Sequence, residues 1–261
     1  MGSGLRRPVF FYAGAGGTRP SAARGGEEKE MIVTYIHHSS FCVELERTAL
    51  LFDYTEGTLP VIPAGKELLV FASHFHGDHF SPDIFRLADK RERVRYILSR
   101  EIGKKKLPGL LPDRVRFVRA GETFEEAGAR IETLHSTDEG VAFWISCEGK
   151  EIYHAGDLNN WRWEGEDKAW NHNMDASYRR EMEKLAGRTA DAAFIPLDPR
   201  LGPWFYLGME GFMKQASAKA LFPMHFWGDY GVIEAVRKHP AAAGWAGRVV
   251  SIHREGETFI L

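Results

Sequence analysis

Ser73-His74-Phe75-His76-Gly77-Asp78-His79-Phe80 packs three imidazoles and a carboxylate into six residues. It directly follows Leu68-Leu69-Val70-Phe71-Ala72, an apolar run that is partly beta-branched and too short for a helix. That run reads as a buried strand. The ligand-rich segment is then the loop at the strand's C-terminal end, with Gly77 permitting a tight bend. In extended chain the alternate residues His74 and His76 point the same way. After the turn, Asp78 and His79 are free to face a second centre. Imidazole and carboxylate suit zinc, iron or manganese, and the lack of thiolate argues against a closed structural zinc site.

His74-x-His76-x-Asp78-His79 resembles the signature of the metallo-beta-lactamase superfamily of binuclear hydrolases. The resemblance implies three more ligands downstream: a lone histidine, a bridging aspartate and a last histidine, each closing a strand. Leu134-His135-Ser136-Thr137-Asp138 ends a strand-like stretch and supplies His135 where the lone histidine is needed. His154-Ala155-Gly156-Asp157 supplies the bridging carboxylate, and Ala220-Leu221-Phe222-Pro223-Met224 leads to His225. By this resemblance His74, His76 and His135 hold the first metal, and Asp78, His79 and His225 the second. Asp157 bridges both. His154 reads as a packing or supporting residue.

The implied fold is α/β, a four-layer αββα sandwich of the metallo-beta-lactamase type, covering residues 31–261 as a single domain. Residues 1–30 look different, with Gly14 to Gly17 and Gly25-Gly26 among Arg, Pro, Ser and Ala and no hydrophobic periodicity. They read as a disordered extension, cloning-derived sequence or the product of a start codon placed too early. The apolar run after Arg6-Arg7 is too short for a signal peptide and is interrupted by Pro8. No phosphate loop follows Gly14-Ala15-Gly16-Gly17.

Composition sets the outer limits. Hydrophobic residues at 44% and charged residues at 27% are ordinary for a soluble globular protein. A net charge of -2 gives no general attraction to nucleic acid or anionic membrane. With only two cysteines, Cys42 and Cys147, a reducing and hence cytoplasmic setting is the expectation. The expected partner is a small-molecule substrate, with no nucleic acid and no membrane; oligomeric state is not readable.

Along the chain, residues 32–36, 41–45 and 48–54 predict an antiparallel meander. Asp53 ends the third strand, either supporting the metal ligands or making a turn. His38, in a His-Ser pair after the first strand, resembles the ascorbate-6-phosphate lactonase-like branch, where such a histidine lies near the active site. Ser81-Pro82-Asp83 predicts a helix start, running to about Lys90. Strands are expected at 94–98, 115–118, 122–126, 129–134, 141–147, 151–154, 192–195, 220–224, 248–252 and 258–260. Helices are expected at 100–107, 176–186, 209–219 and 230–239. Lys104-Lys105-Lys106 reads as a solvated face before a phosphate site.

The stretch 158–178, rich in Asn and Trp, is either a substrate-pocket wall or a surface loop covering a core edge. Asn159 and Trp161 are its pocket candidates, and His172 has no support as a ligand. Arg200 either clamps an anionic substrate or pairs with Asp198.

The implied cofactors are two divalent ions, zinc first, with manganese or iron(II) as alternatives. The implied mechanism is attack by a metal-bridging hydroxide, with Asp78 and Asp157 as the catalytic carboxylates. The substrate expected is a small ester, lactone or amide. The alternatives are a phosphodiesterase or nuclease-type hydrolase and, of another class, an iron-dependent redox protein or dioxygenase on the same fold.

Overall fold

A computed structural model describes residues 30–103 and 112–261. Residues 1–29 and Lys104 to Lys106 lie outside the described part.

Thirteen strands among the described residues form two mixed sheets. The first has the order β13-β1-β2-β3-β4-β5-β6. It comprises β1 (Ile32–His37), β2 (Ser40–Glu44), β3 (Thr48–Phe52), β4 (Glu67–Ala72), β5 (Val94–Ser99), β6 (Val115–Val118) and β13 (Thr258–Ile260). The second has the order β12-β11-β10-β9-β8-β7. Its strands are β7 (Thr123–Glu126), β8 (Ala129–His135), β9 (Val141–Cys147), β10 (Lys150–His154), β11 (Thr189–Pro196) and β12 (Ser217–Met224). β1, β2 and β3 pair antiparallel, as the meander predicts, and β3 to β6 run parallel.

Period-two alternation builds the layers. Leu69 and Phe71 of β4, Leu50 and Phe52 of β3, and Ile97 of β5 join the core shared with Phe143, Phe194 and Phe222 of the second sheet. The residues between them, Leu68, Val70, Leu51 and Tyr96, face outward and are covered by Phe80, Ile84 and Phe85. Both faces of β4 are therefore apolar, as its unbroken hydrophobic run requires. On the second sheet, Tyr178 and Met182 of α2 (Lys168–Glu183) and Met209 and Phe212 of α3 (Leu207–Gln215) close the other face. Layering is thus the αββα sandwich. No described helix is long and apolar enough to cross a membrane.

Four expected elements differ. The helix after Ser81 is a 3-10 turn, Pro82–Arg86, followed by a single α-turn, α1 (Leu87–Lys90). Helix α2 begins at Lys168, because the Asp167 carboxylate accepts from Trp170 N at 2.7 Å and caps it. Trp170 to Asn173 are therefore helical, and the irregular stretch after Asp157 is shorter than its composition suggests. α3 ends at Gln215, since parallel pairing with β11 extends β12 back to Ser217. Residues 248–252 form no strand, only an isolated bridge from Val249 to Leu221. The predicted helix at 230–239 is α4 (Gly231–Lys238).

Candidate metal centre

The residues that follow the C-terminal ends of β3, β4, β10, β11 and β12 converge on one edge of the sandwich. Two close approaches of backbone make this possible. At Gly156 (φ +51°) an added Cβ would lie 2.6 Å from Ser73 Cβ. At Gly140 (φ +75°) it would lie 1.9 Å from Ser73 O. Only glycine fits either place, and the β8–β9 and β10 loops therefore seat directly on the loop after β4.

Two sets of donors result. His38, Asp78, His79 and His225 place one donor atom each within 4.8 Å of one another. His74, His76, Asp138 and Asp157 lie beside them in overlapping groups within the same limit. Asp157 aims one oxygen at each set: Oδ1 is 3.2 Å from His79 Nε2 and 3.6 Å from His225 Nε2, while Oδ2 is 3.5 Å from His74 Nε2. Asp78 Oδ2 stands 3.6 Å from His38 Nε2, 3.8 Å from His225 Nε2 and 3.9 Å from His79 Nε2. These separations are long for hydrogen bonds. They match the donor–donor edge of a tetrahedron with metal–ligand bonds near 2.0–2.1 Å, about 3.3 Å.

Buried polar atoms normally have partners. Here His38 Nε2, His79 Nε2 and Asp157 Oδ1 are buried with none. His38 Nε2 and His79 Nε2 belong to one donor group and Asp157 Oδ1 stands 3.2 Å from His79 Nε2, so bound divalent metal would supply the partners these atoms lack. The donor set thus fits a metal on its own geometry.

The inner rings are held from behind. His79 Nδ1 lies 2.8 Å from Asp53 Oδ2, and the same carboxylate accepts from Ser73 N and Ser73 Oγ at 2.7 Å each. His225 Nδ1 lies 3.0 Å from Asp198 Oδ2. Each such bond places the proton on Nδ1 and leaves the Nε2 lone pair free for a metal. His74 Nδ1 is 3.0 Å from Ser73 Oγ, so it reaches Asp53 through one hydroxyl.

Burial alone would raise the Asp53 carboxyl, but the His79 hydrogen bond and nearby imidazoles hold it at about 2. Burial opposes charge on His79, yet Asp157 and Asp53 lift the ring to about 9. His74 is pushed down to about 4 by burial and by His79. His38, Asp53, His225 and Trp227 all adopt positive φ without being glycine. Such backbone conformations are uncommon and gather where geometry must be fixed.

His135 does not join the cluster. Its ring lines a separate recess with Ser99, Arg100, Glu101 and Gly140, and Nδ1 lies 2.5 Å from Ser136 O. Its N–H donates to Glu181 Oε2 at 3.1 Å. None of the donor groups among the described residues contains the expected third histidine, whereas Thr137 and Asp138, which follow it in the β8–β9 connection, line the cavity.

The other candidates are placed as follows. His38 lies inside the inner donor set, 4.3 Å ring to ring from His225. Arg200 is engaged with Asp198, with Nη2 at 2.6 Å and Nε at 3.0 Å from both oxygens. Asn159 is fully buried against Gly208 and faces away from the cavity. Trp161 donates to Asp157 O at 2.8 Å and meets the His225 ring edge-on at 5.3 Å. His154 stacks on Phe52 at 4.7 Å, within the core. His172 lines a recess between α2 and α3, apart from the donors. Cys42 is buried, which pushes its thiol up to about 12, and Cys147 is buried too.

Over the donors opens a cavity of about 380 Å³, walled by Trp161, Trp163, Trp170, Met174 and Trp227. Sequence reading missed Asp138 and Trp227 here. Asp138 sits three residues past the expected His135, within the same quoted motif, and a carboxylate in a loop leaving a strand end was the available signal.

Comparison with known proteins agrees with this architecture. Residues 32–175, more than half the chain, match the beta-lactamase superfamily domain. A UPF0173 metal-dependent hydrolase of Alkaliphilus metalliredigens is 26% identical over 217 residues, which is 75% of this chain and 85% of that one. Another of that name, from Opitutus terrae, is 25% identical over 87% of this chain and 99% of its own. Among solved structures, Igni18, a metallo hydrolase from Ignicoccus hospitalis, aligns with a TM-score of 0.59 at 16% identity, covering 89% of this chain and 98% of that chain. YhfI from Bacillus subtilis, a metallo-beta-lactamase fold protein, aligns at 0.57 and 14% identity, covering 89% and 100%. Fold, donor arrangement and family match converge, and the chain belongs to the beta-lactamase superfamily.

Proposed function

We propose that the protein is a metal-dependent hydrolase holding two divalent ions, one in each donor set, and that it cleaves a small ester, lactone or amide. The observation that carries this reading is Asp157, a buried carboxylate with one oxygen toward each set and Oδ1 otherwise unpartnered. When bound, such a pair of ions supplies the Lewis acidity that makes water a nucleophile near neutral pH and polarises the scissile group.

The chain's own residues do the rest. Asp157 spans the two sets and fixes their separation. Burial would raise Asp78, but the His38 ring 3.6 Å away and the charge of His79 hold it well below the usual carboxylate range. It lines the cavity and is placed to orient the attacking water. Asp53 and Asp198 keep His79 and His225 in one tautomer and one orientation. The indole wall excludes bulk water and offers flat apolar faces to a substrate.

The lining also favours an acyl substrate over a phosphodiester. Arg200 is the one Lys or Arg among the described lining residues, and Asp198 already neutralises it. Beyond the ions themselves, a phosphodiester anion would find no free Lys or Arg in the described lining. His38 adds a further nitrogen to the inner set, which is the role its unpartnered Nε2 suits.

The test is metal content per chain after purification without added metal, then chelation and reconstitution on a panel of esters, lactones, amides and phosphodiesters. Two equivalents with metal-restored acyl cleavage is the expected result. Retained activity after complete chelation, or no metal uptake, overturns it. A preference for phosphodiesters refutes the substrate class alone.

A further inference from the structure

The β8–β9 connection, Ser136 to Gly140, is fastened to the donor loops at three points. Val141 N donates to Ser73 O at 3.0 Å, and Gly140 packs on Ser73 O and His74 Cβ. Thr137 Oγ1 bonds Asn159 O at 2.5 Å and accepts from Asn159 N at 3.0 Å, which ties the connection to the loop after Asp157. Asp138 N donates to Ser136 Oγ at 3.2 Å. Held this way, Asp138 points its carboxylate at His76 and Asp157, with a donor atom from each within 4.8 Å of the others. None of the ligand-length groups among the described residues contains His135.

An exposed aspartate beside another carboxylate is ordinarily unfavourable, since like charges raise each other's cost. Asp138 nevertheless faces Asp157, with a carboxylate oxygen of each within 4.8 Å of the other. The arrangement becomes favourable once a cation lies between them. A second pointer is Asp157, nearly fully buried, whose other oxygen, Oδ2, stands 3.5 Å from His74 Nε2 on the outer side. His74 Nε2 and His76 Nδ1 are 3.1 Å apart, the pair of nitrogens that the same ion would take.

From these contacts we propose that Asp138, not His135, completes the outer metal site with His74, His76 and Asp157. This rests on the two-ion reading above. The two sites then differ in chemistry. The outer one has two imidazoles and two carboxylates, while the inner one has three imidazoles, from His38, His79 and His225, with Asp78 and the shared Asp157. Carboxylate donors suit manganese, whereas imidazole suits zinc and iron. The outer site is thereby the harder of the two and the more tolerant of manganese.

Metal titration of the full-length protein separates the alternatives, with cobalt(II) absorption and bound metal per chain as readouts. Wild type is expected to take up two ions in two steps. Asp138→Ala should keep the inner step and weaken the outer at least tenfold, and Asp138→Asn, which preserves shape, should do the same. His135→Ala should leave both steps and the cobalt spectrum unchanged. Two unaltered steps in both Asp138 variants, or loss of the outer step in folded His135→Ala, overturns the proposal while leaving the two-ion reading intact. Uptake of fewer than two ions by wild type refutes the two-ion reading, and this proposal with it.

Discussion

The inner and outer halves of the donor cluster are built from the same residue types, yet they are supported differently. Behind His79 and His225 stand two carboxylates, Asp53 and Asp198, both with no exposed surface. Behind the outer donors stands only Ser73, which links His74 to Asp53. Asp138 is exposed, and His76 is half-buried on a turn. A donor whose orientation is fixed before the metal arrives loses less freedom on binding. On the two-ion proposal, the inner half is expected to bind tighter and exchange more slowly, and the outer half to be the one that solvent and substrate reach. Asp157 is what makes them one centre.

The largest expected effect comes from breaking that link. Asp157→Ala should lower kcat/KM on the order of a hundred- to a thousandfold or more, because it removes the buried carboxylate that turns one oxygen to each half. His79→Ala should match it, through the inner half alone. Steady-state kinetics with metal content measured in parallel checks both; full activity in either variant would end the two-metal mechanism.

A smaller effect separates the halves. Asp53→Asn and Asp198→Asn should each weaken inner-site metal binding by about 10–100-fold, since an amide no longer fixes the imidazole as a carboxylate does. Ser73→Ala should weaken the outer site more than the inner, as only His74 depends on its hydroxyl for a partner to Nδ1. Competition against a coloured chelator measures each step. Equal losses at both sites in every variant would show that the halves are not separately supported.

The sandwich was legible because its signals are local. Leu68 to Ala72 is apolar on both faces, and a strand buried between two layers needs that pattern. Four of the donors were equally readable, since His74 and His76 of the outer half and Asp78 and His79 of the inner half all follow a single strand end within six residues. The outer half is harder to read, because position there depends on another segment. His135 and Asp138 belong to the same five-residue stretch, and the docking of Gly140 on Ser73 decides which of them faces the site. No periodicity encodes that contact. The start of α2 was missed for a similar reason: the aromatic and amide-rich residues 170–173 look irregular, and the Asp167 cap that makes them helical is one side chain.

Proton linkage offers a further contrast, visible in metal-free protein. The His79 ring is raised from 6.5 to about 9, with burial opposing the shift and Asp157 and Asp53 driving it. A raised histidine contributes stability that is complete below pH 6.5 and is lost as pH climbs through about 9. Asp53, held at about 2 against an ordinary 3.8, contributes stability above pH 3.8 that disappears as pH falls through about 2. His74, pushed down to about 4, takes stability away as pH falls below 6.5, so chelated protein should melt highest near pH 6.5 and lose several degrees by pH 9. Metal competes with the His79 proton, and loaded protein should not show that alkaline loss. Identical melting profiles with and without chelator would place His79 outside the metal site.

The smallest effect concerns the wall that the two halves share. Trp161 touches both, by its indole N–H on Asp157 O and by its ring against His225. Its ring also runs parallel to Trp163, with centroids 6.2 Å apart. Trp161→Phe keeps an aromatic face but loses the hydrogen bond, a loss of about 0.5–1.5 kcal/mol or roughly two- to tenfold. If the indole chiefly shapes the cavity, KM should change unequally across substrates while both metal steps persist, and Trp161→Ala should widen the spread. If it chiefly holds Asp157 in place, kcat should fall by the same factor for every substrate and the metal steps should weaken together. Kinetics across the acyl panel, read beside the metal titration, decides between a surface that selects the substrate and a brace that keeps the two halves in register.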